Sequence, residues 1–313
     1  MPNAKAMLSA SLRRVARERR LRRLAEAPTM SRELVRRFVA GETIASAVEV
    51  SAELVLKRRH VCLTSLQPVP EDAQAAIYHA RRYRTLLRRL GESGLASEGR
   101  CEVSFALADI GMAIGVEGPD LALTQARKIC QAAANAGALV TVETIHADDV
   151  DLTVETVAEL RQDFPGVGIS LQAALRRTAS DVREQQGHRV RLVKGPPGTG
   201  DDRYRHPAEV DRSFARSARV LLANPGTPVL STQDLRLIEI VEALARHVDR
   251  PRGSYEYQLR YGVRPEMQAV IGDRGDLCRV YTPFGQDWYA YLISRVADDP
   301  SKVGDLLKAA FAR

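Results

Sequence analysis

Three groups of residues in this chain have the types and spacing to do chemistry. Gly195-Pro196-Pro197-Gly198-Thr199-Gly200 follows an apolar run and starts like a phosphate-binding loop. Such a loop next needs a lysine for the terminal phosphates and a hydroxyl residue for magnesium. Asp201 and Asp202 stand there instead and would repel phosphate, so nucleotide hydrolysis is set aside. The Gly/Pro run reads as a mobile loop between a strand and a helix. His146 with Asp148, Asp149 and Asp151 is the one His/carboxylate cluster, the starting point for a metal-dependent hydrolase. No second histidine has metal-ligand spacing, and the carboxylates also suit a helix start before Leu152. The third group is Glu143, Gln172, Arg191, Lys194, Thr232, Gln233, Gln258, Arg260 and Tyr281. Each is a polar group at or near the end of an apolar run, where a core strand has no packing reason to carry one.

The elements that must position these residues begin near residue 60. Runs rich in β-formers are expected as strands at Val61–Leu66, Cys101–Leu107, Ala138–Thr144, Gly168–Ala174, Val190–Lys194, Val229–Thr232, Tyr255–Arg260 and Cys278–Tyr281. Amphipathic stretches separate them, among them Asp72–Leu90 and Pro119–Ala136. Alternation of this kind means a parallel sheet with helical crossovers. About eight units is the count of a (β/α)8 barrel, the TIM-like α/β fold, with additional helices in front. A doubly wound sheet ranks second, because no Gly-x-Gly-x-x-Gly follows the first strand. The expected division is a helical extension over residues 1–60 packed on a barrel over residues 61–313. In such a barrel the C-terminal ends of the strands carry the chemistry, and the third group sits there.

Composition narrows the class. The chain has 313 residues, four scattered cysteines and no run of membrane-span length. No apolar stretch follows the basic residues at the N-terminus, so a secretory signal is not expected and the reading is cytoplasmic. The net charge of +7 is uneven: residues 1–60 hold fourteen Lys/Arg against six Asp/Glu. Arg13, Arg14, Arg17, Arg19, Arg20, Arg22 and Arg23 alternate with Leu12, Val15, Leu21 and Leu24, as in a basic helix with a partial apolar stripe. A solvated helix packed on the domain is the plain reading of that charge. Peripheral contact with an anionic membrane is the sharper one. Nucleic acid is not expected, since no binding motif or aromatic platform accompanies the charge.

Several of these segments carry a resemblance. Arg191-Leu192-Val193-Lys194-Gly195, Ser231-Thr232-Gln233-Asp234, Tyr255 to Gly262, and Arg279 to Gly285 running into Tyr291-Leu292-Ile293-Ser294-Arg295 occur in the order and spacing of the flavin-dependent proline dehydrogenases. Ala138 to Glu143, Leu171 to Arg177 and the lead-in from Met30 to Ser51 resemble the same family. The resemblance implies a (β/α)8 barrel with FAD at its C-terminal mouth. It implies oxidation of a C–N bond of proline or a related cyclic amino acid to an imine, with hydride passing to flavin. Quinone or oxygen would be the electron acceptor. Arg191 would lie against the flavin ring, where its charge suits a ring that gains electrons. Gln172 would hydrogen-bond that ring. Thr144, Lys194, Gly195 and Pro196 would contact the cofactor nearby, and Thr232 with Gln233 its adenosine side. Glu143, Arg191 and Tyr281 would be the catalytic group.

The substrate side departs from the family pattern. A lysine that grips the carboxylate falls on Ala106, and a pair of arginines on the last helix, here about Trp288 to Asp298, falls on Ser294-Arg295. An aspartate on the third strand becomes Glu143, and a leucine against the ring becomes Arg260. Cation is lost from one end of the pocket and appears at another. Arg260, Ser294 and Arg295 are therefore the expected substrate contacts. Two readings follow: an active enzyme with a relocated anion anchor, and a non-catalytic relative with a binding or regulatory role.

Overall fold

The computed structural model describes residues 37–298. The basic helix expected around residues 12–24 and residues 30–36 of the Met30–Ser51 lead-in lie outside the described residues. Eight strands close into one barrel in sequence order: β1 (His60–Ser65), β2 (Cys101–Ala106), β3 (Leu139–Glu143), β4 (Gly168–Gln172), β5 (Arg189–Val193), β6 (Thr227–Ser231), β7 (Glu256–Arg260) and β8 (Leu277–Phe284). Every neighbouring pair is parallel, and β8 closes on β1 with His60 opposite Arg279 and Ser65 opposite Phe284. The expected barrel is thus the observed one, with strand ends shifted by a residue or two and β8 extended to Phe284.

Helices α1 (Ile44–Leu56), α2 (Ala73–Glu92), α3 (Gly118–Ala136), α4 (Val150–Asp163), α5 (Thr178–Glu184), α6 (Pro207–Ala223), α7 (Leu235–His247), α8 (Pro265–Asp273) and α9 (Trp288–Asp298) follow. Their starts are written locally. Thr43 and Ser46 form a reciprocal capping pair before α1, and Asp72 accepts Ala75 N–H at 2.7 Å before α2. Pro119 opens α3, and Gly137 in the left-handed region closes it. On α2 the buried Ala76, Ala80, Tyr83, Leu86, Leu87 and Leu90 recur at helical spacing and face the sheet. Burying each leucine contributes about 1.5–3 kcal/mol. A smaller cluster of Val39, Trp288 and Leu292 seats α9 on the segment before α1, with Trp288 Nε1 donating to Glu42 at 3.2 Å. Among the described residues no helix is long and apolar enough to cross a membrane.

The barrel interior is polar by alternation. Successive residues on a strand face opposite ways. The inward set runs His60 and Cys62 on β1, Glu102, Ser104 and Ala106 on β2, Arg189 and Arg191 on β5, Glu256 and Gln258 on β7, and Arg279 and Tyr281 on β8. At the bottom Arg189 pairs with Glu102 (3.1 Å) and Glu256 (3.0 Å), and Arg279 pairs with Glu256 (2.6 Å) and Glu102 (3.3 Å). All four are buried. Burial raises the Glu102 carboxyl, and the two arginines overcome it, holding it down at about 2. This closed ring of charge plugs the N-terminal end and leaves the other end for a site.

Candidate active site

Above the ring, Arg191 on β5 crosses the barrel. Its NH2 group lies 2.6 Å from Ser104 Oγ on β2 and 2.9 Å from Glu143 Oε1 on β3. Tyr281 on β8 donates its phenol to the same Glu143 oxygen at 3.1 Å, and Ser104 Oγ donates to it at 2.6 Å. The Arg191 guanidinium also lies over the Tyr281 ring, 5.5 Å from its centroid. Four strands therefore meet at one carboxylate oxygen. Among the described residues none donates to the other oxygen, Glu143 Oε2, which is left for the mouth. Burial and then the Glu143 charge push the Tyr281 phenol well above its ordinary value, so it stays a donor.

A second group lies beside the first. Gln172 at the end of β4 gives both amide hydrogens away, to Thr144 O (2.8 Å) and Ile145 O (2.9 Å). What it offers a ligand is its carbonyl oxygen. Gly195 has φ +69°, and a Cβ there would stand 2.9 Å from Gln172 Oε1 and 3.1 Å from Ala174 Cβ. Thr144 is buried, its hydroxyl spent on Ser170 O at 2.6 Å. Among the buried donors without a partner, two belong to inward residues of β5 and β7: Arg191 Nε and Gln258 Nε2. A barrel mouth with two unanswered N–H donors, an amide acceptor and a glycine cradle fits a flat heteroaromatic group carrying both carbonyls and N–H. A flavin ring is such a group.

The remaining predicted residues sit around this centre. Lys194 is engaged by Asp211 (2.5 Å) and Asp234 (3.7 Å), which belong to α6 and the start of α7. Thr232 is buried and accepts Asp234 N–H at 3.1 Å, and Gln233 Oε1 accepts Arg260 N–H at 3.3 Å. Arg260 lies two residues beyond the inward Gln258, so it takes the interior face at the mouth. Ser294 on α9 bonds the Tyr291 carbonyl at 2.7 Å. The Arg295 side chain lies outside the described residues. Pro196 begins the loop read as mobile, but backbone bonds pin that loop. Tyr204 N donates to Ala174 O, and Arg176 N donates to Asp202 O, each at 2.9 Å, while the Arg176 guanidinium stacks 4.8 Å from the Tyr204 ring centre. Among the described residues no His/Cys/Asp/Glu group has the arrangement of a metal site, and Asp151 pairs with Arg177 at 2.6 Å instead.

No family model matches the chain. Relatives do. It is 30% identical to proline dehydrogenase 1 of Bacillus subtilis over 87% of this chain and 89% of that one. It is 30% identical to the proline dehydrogenase of Deinococcus radiodurans over 85% and 86%. The chain belongs to the proline dehydrogenase family. In the solved structure of proline utilization A (PutA) from Bdellovibrio bacteriovorus, inactivated by N-propargylglycine, the same fold appears with a TM-score of 0.78 and 21% identity. That match covers 89% of this chain and 34% of the other, so the chain spans about a third of that protein. Within the proline dehydrogenase fold, Ser104 and Cys62 are inward residues against Arg191 that strand-end reasoning missed. Their signal was available: polar residues alternate along β2, β5, β7 and β8, which marks an inward polar face two residues below each strand end.

Proposed function

We propose that this chain is an FAD-dependent oxidoreductase that oxidises the C–N bond of proline or a related cyclic or modified amino acid to an imine. The observation that carries the reading is Glu143, held through Oε1 by Arg191, Ser104 and Tyr281 with Oε2 left toward the mouth, in a member of this family. Imine formation takes a hydride from carbon and a proton from nitrogen. A bound flavin supplies the two-electron acceptor. The chain's part is to seat the amine and receive its proton, and Glu143 Oε2 is the acceptor for that N–H. Arg191 and Tyr281 fix the carboxylate against rotation. Gln172, Gly195, Arg191 Nε and Gln258 Nε2 would hold the ring, with Thr144, Lys194, Pro196, Thr232 and Gln233 around it. Arg260, Ser294 and Arg295 would meet the substrate, and quinone or oxygen would accept the electrons.

The test is the visible spectrum of the purified protein with and without added FAD, followed by anaerobic addition of proline and a cyclic amino-acid panel. A bound flavin bleached by one member is expected. A protein that takes up no flavin, or a flavin that no member bleaches, fits the non-catalytic relative instead.

A further inference from the structure

The ends of β1 and β2 splay apart at the mouth, and two side chains fill the fork. Leu63 and Val103 are the last paired residues of the two strands. Beyond them the Tyr83 hydroxyl takes the next rung, accepting Ser65 N–H at 2.9 Å and donating to Ser104 O at 3.1 Å. At the following rung Ala106 N–H goes to Asp109 Oδ2 at 3.0 Å. The short turn that carries Asp109 is Leu107–Ile110, held from α2 by His79 Nδ1 against Asp109 O at 3.1 Å. The carboxyl is thus fixed, half-buried, beside the interior residue Ala106.

Two other charges at the mouth are paired. Glu143 has Arg191, and Lys194 has Asp211. Among the described residues no cation stands within ion-pair distance of Asp109. The titratable groups facing it are Glu143 from β3 and Tyr83 and His79 from α2. Burial, and then the Glu143 charge, raise the Asp109 carboxyl to about 7. A carboxylate brought to this side would meet a second carboxylate with no cation between them, whereas an amine or hydroxyl would find an acceptor.

We propose that Asp109 is a specificity-determining residue whose unpaired carboxyl makes the β1–β2 side of the mouth a seat for a donor group of the substrate and excludes a carboxylate there. This deepens the oxidoreductase reading and rests on it for the turnover measurement alone. The binding measurement uses the purified full-length protein, with whatever flavin it carries, at pH 8.5, where Asp109 is ionised, titrated with pyrrolidine (amine without acid) and cyclopentanecarboxylate (acid without amine). Wild type should prefer pyrrolidine. Asp109→Asn, and Asp109→Ser as a second variant that keeps an oxygen for Ala106 N–H, should weaken pyrrolidine about tenfold and tighten cyclopentanecarboxylate. The kcat/KM ratio of pyrrolidine to proline should fall about tenfold in both. Affinities unchanged within about twofold in both variants, or no pyrrolidine binding to wild type, overturn the proposal. If no compound is oxidised by any form, the oxidoreductase reading fails, while the two affinities still decide the role of Asp109.

Discussion

Arg191 and Glu143, from the two strands that flank β4, meet at 2.9 Å through NH2 and Oε1, with Arg191 buried and Glu143 almost so. Such a pair is held in place more by what surrounds it than by its own attraction. Removing one partner leaves the other charged and poorly solvated. Arg191→Met should therefore lower stability by about 3–5 kcal/mol, and Arg191→Met with Glu143→Gln should recover more than half of that loss. Urea unfolding of the two variants checks it. A double variant as unstable as the single one would mean that Arg191 acts through packing.

Tyr281 shares the oxygen that Arg191 holds, but as a neutral donor at 3.1 Å. Tyr281→Phe should lose about 1 kcal/mol of stability. With Glu143 held by Arg191 and Ser104 alone, kcat for the best substrate should fall about tenfold while flavin content stays constant. Unchanged kcat would remove Tyr281 from the catalytic group.

Gly195 tests the cofactor cradle. Its φ of +69° and its approach to Gln172 leave no room for a methyl group. Gly195→Ala should cost about 1–2 kcal/mol from backbone conformation. The same added Cβ should weaken FAD at least tenfold, measured by equilibrium dialysis of the apoprotein. A variant that is less stable yet binds FAD as wild type does would place the ring elsewhere.

Most of the fold was readable because each strand is a short run of β-formers bracketed by amphipathic helix, a pattern with one economical closure. Glu143, Arg191 and Tyr281 were also readable as strand-end residues, and they meet in space. What the sequence hid depends on two strands at once. Ser104 matters because β2 sits beside β3 at a register that sets its hydroxyl against Glu143. Asp109 matters because β1 and β2 separate where they do. Lys194 was expected beside the cofactor, and only the packing of α6 and α7 brings Asp211 and Asp234 to it. The loop after Gly195 looked mobile from composition, yet its partners at Ala174 and Arg176 lie on the preceding loop.

The charge ring at the bottom gives the fold a two-stage response to acid. His60 Nδ1 lies 3.2 Å from Arg279 NH2, and arginine can only donate, so His60 is neutral and accepts through Nδ1. Burial first, and then Arg279, lower it from 6.5 to about 4. Glu102 is held at about 2, below the ordinary 4.5. Both folded-state values lie below the unfolded ones, so the unfolded chain binds more protons and stability falls with falling pH. The His60 contribution is complete above about pH 6.5 and is lost as pH drops toward about 4, and the Glu102 contribution is lost between about 4.5 and about 2. His60→Gln keeps an acceptor for Arg279 but cannot titrate. Its melting temperature should fall less than that of wild type between pH 7 and pH 4.5, by the equivalent of about 1–2 kcal/mol given the partial exposure of the ring. Below about pH 4 the two proteins should lose stability together, as the carboxylates take up protons. Parallel curves over the upper range would show that His60 does not sense the ring.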